Sequence, residues 1–403
     1  MAEFSRLRGG GSVSDVRRPE QSSLLARTVA GREIRYAKAN SYDVHDANVL
    51  DPVSRTVRMS ETAYKMSKIL IDRPRHWFAM CTASMLCLTA ASIVATAIAQ
   101  EVHATPRQPG SEAQLRMWLE NMVAYHRFSI AEVEAATGLP AQAIQSALAR
   151  FEISPGVRPQ REPDAPLTVL PYPGGRHPRI GFLEGAIDPQ RETKVSVFAP
   201  WDEASYFVID VPEAIWSQHG LLYLAHTHVE TIWTRQGIEL APLEWERQAD
   251  GHLTIRRELP NRVAFTAAVK ARADGVSMEL TLTNDSDETL TDLRVQNCVM
   301  LKGAAGFTEQ TNENKVFTAP YAACRAHDGE RWVITAWSPI HRAWGNERCP
   351  CLHADPKFPD CPPGATVHVR GWLSFYERED IQAEFRRLDS IGWQRSPAAT
   401  NER

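Results

Sequence analysis

The chain has 403 residues, with 45 Lys and Arg against 49 Asp and Glu and a formal net charge of −4. At 43 % hydrophobic and 23 % charged, it is long and apolar enough for one large or two ordinary packed domains. No Lys/Arg-rich block occurs in its C-terminal two-thirds, so no nucleic-acid partner is expected.

Residues 1–65 are polar, carry "RGGGS" and keep no hydrophobic period. They are predicted to be disordered; the alternative is an over-extended reading frame, with translation starting at Met66. Residues 78–99, "FAMCTASMLCLTAASIVATAIA", carry no charge. Lys68, Arg73 and Arg75 precede them and Ala97-Ile98-Ala99 closes them. Basic flank, apolar run and small-residue cleavage site are the layout of a secretory signal peptide, here over 66–99. As a helix the run is about 33 Å long, enough to span a bilayer. An uncleaved signal anchor is therefore the one membrane contact expected. The protein is expected to be secreted or periplasmic.

A linker over 100–111 leads to a small helical module over 112–153. Leu115, Trp118, Leu119 and Met122 keep helical spacing. Ser129 and Glu132 make a capping box, Gly138 ends that helix, and Pro140 opens the next at its first turn. Helix, Gly turn, helix is similar to a DNA-binding helix-turn-helix, but Arg150 is the second helix's single positive charge. A packing module is the better reading. Residues 154–179 form a Pro/Arg-rich connector.

From 180 to 395 short β-rich runs recur between turn signals such as "ADGH", "ADGV", "NDSDET" and "HDGE". They include "KVSVFAP", "SYFVIDVP", "LLYLAHTHVETIW", "VSMELTLTN", "RWVITAWSP" and "TVHVRGWLSFY". The fold class is mainly β, an antiparallel β-sandwich after a small α-helical module. "IQAEFRRLDSIGW" closes it as an amphipathic helix.

The run 250–301, with "DGVSMELTLTN" leading through "SDETLTDLRV", resembles the galactose mutarotase-like β-supersandwich of aldose epimerases and of β-domains in polysaccharide-active enzymes. That resemblance implies a supersandwich and a carbohydrate ligand. It carries over no catalytic residue. The C-terminal region is also similar to a class of secreted proteins of environmental bacteria.

Within "LAHTHVETIW", His226, His228 and Glu230 stand two apart, so on a strand they share one face. His228 and Glu230 are the expected acid–base pair. His226 with His228 is the alternative metal pair, for a divalent cation; otherwise no cofactor is expected. Trp233, Trp337, His341, Arg342 and Trp344 join His226 as expected carbohydrate contacts, indoles stacking on sugar C–H faces and Arg342 suiting a carboxylated sugar. Of Cys298, Cys324, Cys349, Cys351 and Cys361, an odd set, at most two disulfides can form. Cys361 is expected to pair with Cys349 or Cys351, with a metal or thiolate role for this loop as the alternative. The absence of Gly-x-Ser-x-Gly, of a P-loop, of Gly-x-Gly-x-x-Gly after a strand and of His-Glu-x-x-His disfavours nucleotide and serine-esterase chemistry.

Three functions follow as expectations. The first is a carbohydrate-active or carbohydrate-binding protein, with acid–base chemistry of epimerase, lyase or hydrolase type. The second is a non-catalytic carbohydrate-binding or envelope structural protein. The third is a metal-dependent enzyme using His-x-His.

Overall fold

The computed structural model describes residues 107–176, 178, 192–226, 229–347 and 349–395. The expected extension, signal segment and most of the linker lie outside these residues, as do His228 and much of 177–191. No helix among the described residues is long and apolar enough to cross a membrane.

The chain opens with helix α1 (Glu112–Leu119), which runs on into one π-helical turn, Glu120–Tyr125. Helices α2 (Ile130–Thr137) and α3 (Ala141–Phe151) follow. The expected capping box forms: Ser129 Oγ accepts from the Glu132 N–H, and Glu132 accepts from the Ser129 N–H. Gly138 takes the left-handed φ of +67° that ends α2. Pro140 is the N-cap residue of α3 rather than part of its first turn.

Strands then follow in chain order: β1 (Val169–Pro171), β2 (Lys194–Phe198), β3 (Tyr206–Ser217), β4 (Gly220–Leu224) and β5 (Glu246–Arg247). Next come β6 (Leu253–Glu258), β7 (Val263–Ala271), β8 (Val276–Asn284), β9 (Val295–Met300) and β10 (Lys315–Thr318). The last are β11 (Tyr321–Arg325), β12 (Arg331–Ser338), β13 (Ile340–Trp344), β14 (Cys351–Pro356) and β15 (Thr366–Glu377), before helix α4 (Ile381–Ile391). They make two antiparallel sheets. One has seven strands, in the order β1-β2-β3-β9-β14-β13 with β4 on β3; the other has eight, in the order β10-β11-β12-β15-β8-β7-β6-β5.

The sheets bury their inner faces against each other, so alternate residues of each strand are core. On β8 every second residue is buried, as Val276, Met278, Leu280 and Leu282 face in. Trp337 is fully buried in this core, pressed against Gly371 on the neighbouring strand. A Cβ at Gly371 would sit 2.5 Å from the indole, so this close approach requires glycine. Helix α4, capped by the Asp380 carboxylate on the Ala383 N–H, covers the outer face of the eight-stranded sheet, and Phe385 stacks on Tyr321 at 4.6 Å.

The helical module covers part of the outer face of the seven-stranded sheet. Trp118, Met122 and Phe128 pack with Phe198, Tyr206, Val208 and Met300. His126 ties the layers together, its Nε2 2.7 Å from Ser196 Oγ and its Nδ1 2.9 Å from Asn121 O. Arg176 lies over the Phe128 ring at 4.1 Å and pairs with Glu132.

A candidate site in the polar rows of the seven-stranded sheet

Cross-strand register lines up polar residues on the outer face of this sheet. Lys194 opposes Asp210, and Asp210 opposes Cys298. Cys351 opposes Met300 and Leu352 opposes Val299, which sets His353 opposite Cys298. Trp344 in turn opposes His353. The row Lys194–Asp210–Cys298–His353–Trp344 thus crosses five strands. A parallel row holds Gln296, Asp355 and Arg342, with Arg342 opposite Asp355.

Glu213 joins the face through a register shift between Asp210 and Ala214. Residues three apart fall on opposite faces of a regular strand, but here four residues of β3 span two of β9, and this irregular stretch lets Glu213 reach the Asp210 face. Pro212, which has no N–H to offer a ladder, sits inside this irregular stretch.

The charged members are buried. Lys194 Nζ lies 2.9 Å from Asp210 Oδ1, both side chains fully inaccessible, and donates to Ala225 O at 3.1 Å. His226 Nε2 is 3.2 Å from Glu213 Oε1 and 3.9 Å from Asp210 Oδ2. Glu213 Oε2 accepts from Gln296 Nε2 at 2.8 Å and stands 3.9 Å from His353 Nδ1. One carboxylate is thereby flanked by two imidazoles.

Toward β13 the cluster reaches solvent. Buried Asp355 accepts from the Asn297 N–H at 3.0 Å, from Arg342 Nε at 2.8 Å and from Trp344 Nε1 at 2.7 Å. Arg342, 47 % exposed, lies over the half-buried Trp344 ring at 4.8 Å, and that indole stacks on His353 at 4.1 Å. Burial raises the Asp355 carboxyl above the usual carboxylate range, against the pull of His353 and Arg342. Burial disfavours the His353 imidazolium, yet Cys298, Asp355 and Glu213 outweigh it and hold the group at about 9. Burial also pushes the Cys298 thiol well up, against the pull of His353.

Of the expected His226–His228–Glu230 face, the structure describes His226 and Glu230, and it sets them in different surroundings. Strand β4 ends at Leu224, and the chain bends at Ala225, whose N–H bonds to Glu213 O. His226 is consequently buried beside Glu213, whereas the Glu230 side chain is 72 % exposed, 3.9 Å from Arg235. Thr231 then accepts from the Thr234 N–H and starts a short 3-10 turn ended by Gly237. His228 lies outside the described residues.

The other expected contacts divide. Trp233 is core, its Nε1 donating to Leu222 O at 2.8 Å, and Trp337 is core as well. His341, Arg342 and Trp344 lie together on β13, with His341 exposed and held below the ordinary histidine range by partial burial and by Arg342. An open cleft lined by His219, Trp233, Arg235 and Glu288 contains an exposed His219–Glu288 pair at 3.0 Å and none of the buried rows. No disulfide joins Cys298, Cys324, Cys349, Cys351 and Cys361. The expected Cys361 bridge is absent because Cys361 lies in the sandwich core, bridging Leu290, while Cys349 and Cys351 lie under the helical module.

Two buried trios could hold a cation: Asp210, Glu213 and His226, and Cys298, Cys351 and His353. In the first, the Lys194 ammonium already neutralises Asp210 at 2.9 Å, so a dication there would face a fixed positive charge. Sequence reading missed Lys194, Asp210, Glu213 and Gln296 as candidate site residues. The signal was available: Asp210 and Glu213 interrupt an otherwise apolar run, and charged residues are seldom fully buried unless paired.

No protein-family model and no curated protein matches the chain. Solved structures similar to it include the Slr1438 protein of Synechocystis sp. PCC 6803, at TM-score 0.28 and 9 % identity, covering 46 % of this chain and 88 % of that one. Another is described as an aldose 1-epimerase from Klebsiella pneumoniae, at TM-score 0.24 and 9 % identity over 36 % of this chain and 57 % of the other. A third is the heparan sulfate lyase HepC of Pedobacter heparinus, at TM-score 0.27 and 10 % identity, covering 74 % of this chain and 48 % of the lyase.

Proposed function

We propose that the protein binds carbohydrate at the β13 edge of the polar rows, with Arg342 and Trp344 touching the sugar. The observation carrying this reading is the double grip of Asp355 on Arg342 Nε and Trp344 Nε1. One buried carboxylate orients a half-exposed guanidinium and an indole side by side. With His353 and Arg342 against its faces, the half-buried indole offers its edge to sugar C–H groups, and the guanidinium offers a charge-assisted contact to a carboxylated sugar. Because both side chains are already oriented, little ordering cost remains at binding. Secretion or export to the periplasm belongs to the same reading and rests on the signal-like layout of 66–99. N-terminal sequencing of the native product, beginning near Gln100, is the expected result.

The test is calorimetric titration with neutral and uronate-containing oligosaccharides. Arg342→Ala is expected to weaken uronate binding by roughly ten- to a hundred-fold, the value of a charge-assisted hydrogen bond of about 1.5–3 kcal/mol. Trp344→Ala is expected to weaken both ligand classes. Unchanged affinity in both variants, with the circular dichroism of the parent, refutes the assignment.

A second, catalytic reading is favoured by Glu213 between His226 and His353. In it Glu213 and His226 replace His228 and Glu230 as the proton-transfer pair. Glu213→Gln would then abolish turnover while sparing affinity; turnover that survives it removes this reading.

A further inference from the structure

We infer that Cys298, Cys351 and His353 form a site for a thiophilic divalent cation, zinc foremost, held between the seven-stranded sheet and the helical module. The inference stands independently of the carbohydrate reading. It begins from register: His353 falls opposite Cys298, and Cys351, two residues earlier on β14, projects to the same face. The three donor atoms lie within 4.8 Å of one another, and all three residues are at most 2 % exposed.

Tetrahedral zinc, with bonds of about 2.3 Å to sulfur and 2.0–2.1 Å to nitrogen, needs donor–donor edges of about 3.5–3.8 Å. Cys351 Sγ and His353 Nε2 stand 3.3 Å apart, so the trio needs only a small adjustment to close on an ion. The imidazole is also oriented for ligation. Its Nδ1 lies 2.8 Å from Asn297 O and donates to that carbonyl, which turns Nε2 toward the sulfurs, where it ligates once its own proton is released. A backbone carbonyl in this role is the usual second partner of a metal-bound histidine. Trp344, stacked at 4.1 Å and 10°, fixes the ring plane.

Charge and softness agree. Binding expels one proton from each thiol and one from the His353 imidazolium to solvent, and two thiolates balance a dication in a buried place where an unbalanced charge would be costly. Two sulfurs and one imidazole select zinc over magnesium or calcium, which prefer oxygen. Three protein ligands leave a fourth position for water or another small donor.

The full chain, purified without a histidine tag or chelator, is expected to carry about one zinc per chain by elemental mass spectrometry. Cys298→Ser and His353→Gln should lose it, while Cys361→Ser, altered at a different place in the core, should keep it. Because a buried substitution can unfold the sheet, a second measurement uses the unmodified chain. Cobalt(II) exchanged for zinc should give a thiolate-to-cobalt charge-transfer band in the near ultraviolet. The inference is overturned by an unmodified chain that takes up neither zinc nor cobalt, or by a native Cys298–Cys351 disulfide in peptide mass spectra.

Discussion

Replacing Lys194 with Met isolates the energetics of the polar rows. The substitution nearly preserves side-chain length and removes the ammonium. Asp210 then keeps its place with both oxygens inaccessible and its 2.9 Å partner gone. Removing one member of a buried pair costs about 3–5 kcal/mol, because the remaining charge cannot recover its hydration. For a domain of this size that corresponds to a melting temperature lower by about 6–10 °C. The sign with pH follows from the Asp210 carboxyl that has lost the ammonium. Its folded pKa rises above the unfolded value near 3.9, so the deficit is absent below that value and grows as pH rises through the interval between the two. Urea denaturation followed by tryptophan fluorescence at several pH values measures both. Converting Asp210 to Leu in the same chain should recover part of the loss, giving a coupling above about 1 kcal/mol. A Lys194→Met protein within about 1 kcal/mol of the parent at pH 7 would refute the claim that this pair is a desolvated ion pair.

Gly371→Ala should cost about 1–3 kcal/mol by overpacking, since its Cβ would meet the Trp337 indole at 2.5 Å; an unchanged denaturation midpoint contradicts the packing described. Burial pushes His126 down to about 3. A depressed histidine leaves the unfolded chain binding the extra proton, so stability is full above pH 6.5 and falls as acid is added toward pH 3, by roughly 2–3 kcal/mol at pH 4.5. His126→Gln should flatten that slope in acid titrations of the melting temperature, and an unaltered slope assigns it to other groups. Ser129→Ala removes the cap of α2 and should cost about 1 kcal/mol in urea denaturation.

Periodicity made most of the scaffold legible. The alternation of "VSMELTLTN" is strand β8, and the Ser129/Glu132 box and Gly138 bound α2 where expected. These are local signals, because pleat and helix pitch dictate which neighbours share a face. The site was legible only in part. Arg342 and Trp344 were identified by residue type, and their joint anchor on Asp355 needs the β13–β14 register. In "LAHTHVETIW" periodicity assumes that the strand continues, whereas β4 ends at Leu224 and leaves His226 buried beside Glu213 and Glu230 exposed.

By itself, then, the sequence determined a mainly β chain with a helical module, short strands between polar turns, and an apolar core at alternate positions. Only the tertiary structure decided that Lys194, Asp210, Cys298, His353 and Trp344 stand in one row, and that Trp233 and Trp337 are core. The same fold left Cys361 apart from Cys349 and Cys351. The physical reason is that side-chain alternation is written within each strand, whereas the pairing of strands distant in sequence is set by how the whole chain buries its apolar faces and pairs its buried charges.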